Sequence, residues 1–257
     1  MSTLPLIIGH RGASAVAPEN TLAAFERAML DGADGIEFDV RLARDGVPVV
    51  IHDATLERTG LAKARVSELT SDELRQIDVG SWFTGQAPGR DIDFSRETLP
   101  TLQQVFEFFT GKSGLLYLEM KSDASGGAEL AIEVVRSIQR HAMHEQVIVE
   151  SFELPLIEQV KNFDASIRTA ALFQPKLSQP LSLVRTMRPV EIARYYGADE
   201  IALHHTLASH RLIGKAKEAG LSIVVWTVDN TQWIERARSL GVAALITNNP
   251  TLMLSYR

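Results

Sequence analysis

The chain has 257 residues, 45% of them hydrophobic, which is enough for one large α/β core or two small ones. Its net charge of −6 at pH 7 argues against nucleic acid or an anionic membrane surface as a partner, and the lack of cysteine excludes disulfides, a thiolate nucleophile and sulfur-ligated zinc. The sequence contains no leader-like N-terminal run and no apolar stretch long enough to span a bilayer, so a cytoplasmic protein is expected.

Apolar runs of strand length occur at 6–9, 35–40, 115–121, 147–152, 168–173, 200–204, 222–228 and 243–247. Segments with helical spacing separate them. The first, 21–30, carries Leu22, Phe25, Ala28 and Met29 on one face, after the start signal Pro18-Glu19-Asn20 and before Gly32. Thr101 and Gln104 form a capping box that opens a helix through Phe109. Similar patterns fill 129–141, 155–163, 189–196, 209–219 and 231–240. Eight strand–helix units predict a (β/α)8 TIM barrel occupying 1–257 as a single domain. A doubly wound open sheet is disfavoured by the regular eightfold count and by the lack of a Gly-x-Gly-x-x-Gly turn.

Two segments depart from this repeat. Arg44-Asp45-Gly46 is a hairpin turn signal, and 47–51 reads as an extra strand returning antiparallel to the second, which carries His52-Asp53 back toward Asp39. The segment 54–99 is longer than a βα loop needs. It contains a short helix at 70–77 with Thr70 and Glu73 as a capping box, and it is charged (Glu68, Asp72, Glu73, Arg75, Asp78, Arg90, Asp91, Asp93). It reads as a small insertion over the C-terminal mouth of the barrel.

The chemistry-bearing residues collect at strand ends. His10 and Arg11 end the first strand, Glu37 and Asp39 lie near the end of the second, His52 ends the hairpin, and Glu119 and Lys121 end the third. Residues two apart share a face, so Glu37 and Asp39 point together while Ile36, Phe38 and Val40 point away. Two like charges on one face of a buried strand are unfavourable without a cation or a shared proton between them. In a TIM barrel the C-terminal strand ends form the active-site face, so these groups can converge. Three carboxylates suit a hard divalent cation, Mg²⁺ or Ca²⁺. Arg11 and Lys121 suit an anionic substrate, and two histidines suit general acid and base work near neutral pH. Together they suggest phosphodiester cleavage.

The ordered motifs His10-Arg11-Gly12, Pro18-Glu19-Asn20-Thr21, Ile36-Glu37-Phe38-Asp39-Val40, His52-Asp53, Leu99-Pro100-Thr101-Leu102, Leu118-Glu119-Met120-Lys121, Ser151-Phe152 and Trp226-Thr227-Val228 resemble the signature of the glycerophosphodiester phosphodiesterases. They span the chain in the family's order. The resemblance implies hydrolysis of small glycerophosphodiesters to sn-glycerol 3-phosphate and an alcohol. It also implies a metal held by Glu37, Asp39 and Glu119, with His10 and His52 as the acid/base pair. The chain is similar to the compact cytoplasmic branch, and it leaves room for a homo-oligomer. Two departures from the family pattern, Gly60-Leu61-Ala62-Lys63 and Thr247-Asn248-Asn249-Pro250, are expected to lie away from the groups that touch metal or substrate.

Blander roles compete at each position. The carboxylates and Arg11 fit a structural ion-pair network, with Arg11 on Glu37. His52 fits a turn cap through Asp53. Phe152 and Trp226 fit a substrate-facing wall or simple barrel packing. Glu150 is a further carboxylate whose face strand parity does not fix. His204 and His205 read as capping or surface residues, and His141 and His144 as helix-end residues. Two other functions remain open: a lysophospholipase D, which needs an apolar groove, and a non-catalytic phosphodiester-binding protein.

Overall fold

In this computed structural model the described residues are 4–83, 93–122, 127–175 and 188–257. Arg90 and Asp91 of the charged 54–99 segment lie outside them. Nine strands are found among the described residues: β1 (Leu6–His10), β2 (Gly35–Leu42), β3 (Pro48–Val50), β4 (Leu115–Met120), β5 (Val147–Ser151), β6 (Arg168–Phe173), β7 (Glu200–His204), β8 (Ser222–Trp226) and β9 (Ala244–Thr247). All except β3 are parallel, and β1 pairs with both β9 and β2, so the eight strands close into a barrel. This is the TIM barrel that the eightfold repeat predicts.

Alternation along the strands divides the apolar residues into two layers. Ile36, Phe38 and Val40 of β2 face outward and pack with Phe25 and Ala28 of helix α1 (Leu22–Leu30) and with Leu102, Phe106 and Phe109 of helix α3 (Leu102–Phe109). Ile8, Tyr117, Ile148, Ala170, Ala202, Val224 and Ala244 face inward and fill the barrel. The Tyr117 hydroxyl donates to Glu200 at 3.0 Å within that interior. Mixing Ala with Ile, Val and Tyr there lets large and small side chains interlock.

The turn after β1 has tight requirements. Arg11 takes φ +56°, and Gly12 follows at φ +83°. A Cβ on Gly12 would lie 2.6 Å from the backbone of Ala24 in α1, so only glycine lets that helix close on the strand. Thr21 caps α1 by accepting from the Ala24 amide, which explains the start signal seen in the sequence.

The hairpin forms as expected. Gly46 turns the chain at φ +76°, and β3 pairs antiparallel with the end of β2, Val50 opposite Val40. The 54–99 segment begins beyond it. Helix α2 (Ser71–Leu74) is one turn long and carries the Thr70–Glu73 capping box; it stops short of 77 because the amides of Gln76 and Ile77 bond three residues back, to Glu73 and Leu74, and tighten the chain out of the α-helix. Leu56, Val66, Leu74, Val79 and Leu99 pack with Val49 and Ile51 of the hairpin into a separate small core. Arg58 ties the segment to the barrel through hydrogen bonds to Glu19 (2.6 and 2.8 Å) and Asp53 (2.6 Å).

Candidate active site

Strand register gathers the predicted residues into two successive layers at the strand ends. His10 pairs with Glu37, Asp39 with Glu119, and Glu119 with Glu150. Register neighbours in a parallel sheet point the same way, so a ring of polar side chains crowns the apolar barrel interior at its C-terminal end. Above it opens a cavity of about 450 Å³, lined by His10, Arg11, Glu37, His52, Glu119, Lys121, Glu150, Phe152 and Trp226 among others. Asp39, two residues beyond Glu37 on β2, is fully buried between the two basic groups.

Arg11 does not pair with Glu37 through its guanidinium. That group sits 3.2 Å from Asp39 and 2.7 Å from Glu19, while the Arg11 backbone N–H donates to Glu37 at 3.0 Å. The left-handed backbone at Arg11 is what lets amide and side chain reach different carboxylates. Lys121 lies 3.2 Å from Asp39 and 2.6 Å from Glu119. Asn20, also in the left-handed region, donates to Asp39 at 2.8 Å and accepts from its backbone N–H at 3.3 Å.

Oxygens of Glu37, Asp39 and Glu119 lie within 4.8 Å of one another, a spacing that can hold one metal ion. The charge balance fits as well. With Glu150, four buried carboxylates face two cations, Arg11 and Lys121, so full ionisation leaves an excess of two negative charges for a divalent ion to offset.

The titration of these groups reflects the same imbalance. Burial and the neighbouring Asp39 push Glu37 well above the usual carboxylate range. Burial also raises Glu119 to about 7, although Lys121 opposes it. Glu150 is raised by burial and by Glu37 and Glu119. Burial works against Asp39 too, yet Lys121, Arg11 and His52 together keep it ionised far below its ordinary range.

Both histidines are held from behind. His10 Nδ1 lies 2.7 Å from the side-chain oxygen of Asn248. Asn248 donates through Nδ2 to Asp229 at 2.7 Å, so its oxygen faces His10 and the ring must donate from Nδ1. That leaves His10 Nε2, 3.8 Å from Glu37, as the nitrogen with a lone pair. Burial and the adjacent Arg11 lower His10 to about 4, so it is neutral at physiological pH. His52 Nδ1 lies 2.6 Å from Asp53, whose other oxygen takes Arg58. Burial lowers His52 as well, with Asp39 opposing.

The Asn248 contact corrects one expectation. The departure Thr247-Asn248-Asn249-Pro250 does touch the site, because β9 runs parallel beside β1 with Thr247 opposite Gly9, which sets Asn248 next to His10. Asp229 organises this turn by accepting from Thr247 at 2.8 Å and from the Asn248 backbone at 2.8 Å. Sequence reading passed over Asn20, Asn248 and Asp229 as sites, since each lies in a turn where such residues are common; only their proximity to the motifs could have flagged them.

Phe152 and Trp226 meet edge-to-face at 5.5 Å and form one wall of the cavity. His204 meets Trp226 edge-on at 5.3 Å and caps the turn after β7, as expected for a capping residue. His141 bonds the Ser137 carbonyl at 2.9 Å, and His144 pairs with Asp164 at 3.1 Å, both far from the cavity lining. Among the described residues no helix is long and apolar enough to cross a membrane.

Comparison with known proteins identifies the family. Residues 10–252 match the model of the glycerophosphoryl diester phosphodiesterase family. A glycerophosphodiester phosphodiesterase from Caldanaerobacter subterraneus subsp. tengcongensis is 33% identical over 250 residues, 97% of this chain and 96% of that one. A second, from Bacillus subtilis, is 31% identical over 255 residues, 96% and 84% of the two chains. The barrel also superposes on an Oleispira antarctica phosphodiesterase solved with the product sn-glycerol-3-phosphate (TM-score 0.84, 25% identity, 98% of this chain and 96% of that one). An Agrobacterium tumefaciens glycerophosphodiester phosphodiesterase gives a TM-score of 0.80 at 26% identity, covering 98% and 100%. The chain belongs to the glycerophosphoryl diester phosphodiesterase family and is an enzyme of the glycerophosphodiester phosphodiesterase class.

Proposed function

We propose that this enzyme hydrolyses small glycerophosphodiesters to sn-glycerol 3-phosphate and an alcohol, in a reaction that depends on a divalent cation. The observation that carries this reading is the meeting of two histidines, two cations and three closely spaced carboxylates at one barrel mouth. The product held by the Oleispira relative supports the same substrate class.

Glu37, Asp39 and Glu119 would hold the cation, and an all-oxygen set of this kind suits Mg²⁺ or Ca²⁺. When bound, such an ion supplies charge stabilisation at the phosphoryl group and lowers the pKa of a nearby hydroxyl. Arg11 and Lys121 line the cavity and bind the phosphate oxygens. Phe152 and Trp226 offer an apolar wall for the organic part of the substrate.

His10 and His52 divide the proton work. One accepts the proton of the attacking hydroxyl at Nε2 as the new P–O bond forms; the other gives a proton to the alkoxide as the bond to the alcohol breaks. Two routes use these same residues. Either water attacks directly, or the neighbouring glycerol hydroxyl attacks first and water opens the cyclic phosphate. Hydrogen bonds from the ring Nδ1 atoms to Asn248 and Asp53 orient both rings for either route.

The whole chain works in this reading as one barrel domain, with 54–99 as an insertion over the mouth. A lysophospholipase D would need an apolar channel for an acyl chain. The described part of the insertion instead turns Glu57, Arg58, Lys63, Glu68 and Asp72 to solvent. Phosphorus-31 NMR of glycerophosphocholine turnover tests the proposal. A growing glycerol 3-phosphate resonance is expected; accumulation of phosphocholine, or no turnover with cation present, contradicts it.

A further inference from the structure

Six buried polar side-chain atoms among the described residues lack a hydrogen-bond partner, and four belong to site residues: Arg11 Nε, Asp39 Oδ1, Glu150 Oε2 and Trp226 Nε1. Arg11 and Asp39 are at least matched by charge. Glu150 is not. Its residue is 1% exposed, yet it lines the cavity, and among the described residues no cation pairs with it. A buried carboxylate with an unused oxygen is destabilising, so a role at the site explains it better than a role in packing.

Its position indicates what it meets. Glu150 is the register neighbour of Glu119, one strand further round the barrel from the three-carboxylate cluster. Neighbouring strands are about 4.8 Å apart, so a small polyol can span from one to the other. Phe152, two residues along, shares the Glu150 face and meets Trp226 at 5.5 Å. Trp226 lines the same cavity, and its buried Nε1 is a donor without a partner. A hydroxyl group both donates and accepts, which matches an unused carboxylate oxygen and an unused indole N–H.

The geometry points to Glu150 as the residue that binds the free terminal hydroxyl of the glycerol moiety, and so selects glycerol esters over esters of diols that lack it. This inference rests on the glycerophosphodiester reading above. The metal cluster and basic residues address the phosphate and the hydroxyl beside it. Glu150 addresses the far end of the three-carbon chain.

The test compares choline release from glycerophosphocholine with release from the 1,2-propanediol analogue, which lacks only the terminal hydroxyl. Wild type is expected to prefer glycerophosphocholine by about ten- to a hundredfold in kcat/KM, the size of the penalty for leaving a buried polar group without its partner. In Glu150→Leu, or the smaller Glu150→Ala, that ratio should collapse to within about threefold of unity. Glu150→Gln, which keeps a hydrogen-bonding amide, should recover most of it. The thermal midpoint of Glu150→Leu should stay level or rise, since a buried unpaired oxygen is removed.

A ratio left at the wild-type value in both apolar variants overturns the inference while leaving the reaction in place. A wild-type enzyme that releases no choline from either substrate overturns the underlying reading, and the inference with it.

Discussion

The side-chain oxygen of Asn248 lies 2.7 Å from His10 Nδ1, a contact between residues 238 apart in sequence that fixes which nitrogen of the ring faces the cavity. Asp229 in turn fixes the amide by accepting from its Nδ2 at 2.7 Å. The orientation of a proposed catalytic ring at the start of the chain therefore depends on two loop residues near its end.

Asn248→Ala should free the His10 ring. Loss of orientation at a reacting group costs up to about a hundredfold in rate. The loss is expected in kcat, with little change in KM, because Asn248 does not line the cavity. A kcat within twofold of wild type, roughly 0.4 kcal/mol, would show that the ring is held by other contacts.

The two histidines have different supports, a neutral amide behind His10 and a carboxylate behind His52. Asp53 raises the His52 pKa against the lowering effect of burial. Asp53→Asn should therefore move the His52 limb of the kcat/KM profile to lower pH. Movement of the basic limb would assign His52 as proton donor, and movement of the acidic limb as proton acceptor. A profile that does not move removes His52 from the proton work.

Cation binding should depend on pH. Without a cation, burial raises Glu119 to about 7 and pushes Glu37 well above the usual carboxylate range. Groups with raised folded-state pKa values bind protons that the unfolded chain has already lost, so their contribution to stability declines as pH rises through the folded value. A cation replaces those protons. The rise in thermal midpoint caused by saturating Mg²⁺ or Ca²⁺ should thus be larger at pH 8 than at pH 6. His10, lowered to about 4, does not mask this window. An equal rise at both values would contradict the assignment of these carboxylates as ligands.

Gly12→Ala tests the turn that presents Arg11. The new Cβ would fall 2.6 Å from the Ala24 backbone at a φ of +83°. Strain and overpacking should together cost about 2–4 kcal/mol, visible in denaturant unfolding. A variant as stable as wild type would mean that α1 moves away without penalty.

Much of the barrel was legible because its signals are periodic. Alternation in β2 separates Phe38 from Asp39, and the Arg44-Asp45-Gly46 turn returns His52 to the mouth. The two layers of apolar residues follow from the same alternation. What was not legible depends on closure. The face of Glu150 follows only from its register with Glu119, and the Asn248 contact exists only because β9 pairs with β1. The pairing of Arg11 with Asp39 and Glu19 in place of Glu37 depends on a left-handed residue that no periodic signal marks. Asn20 was readable as a helix start signal but not as the partner of Asp39.

The most direct measurement couples glycerol 3-phosphate release from glycerophosphocholine to a dehydrogenase, for wild type, His10→Ala and Glu37→Ala, in EDTA and with Mg²⁺ or Ca²⁺ restored. The account predicts cation-dependent release by wild type and a loss of at least about a hundredfold in each variant. Release that persists in EDTA, or that survives both substitutions, would contradict it and leave the polar ring at the barrel mouth without a catalytic role.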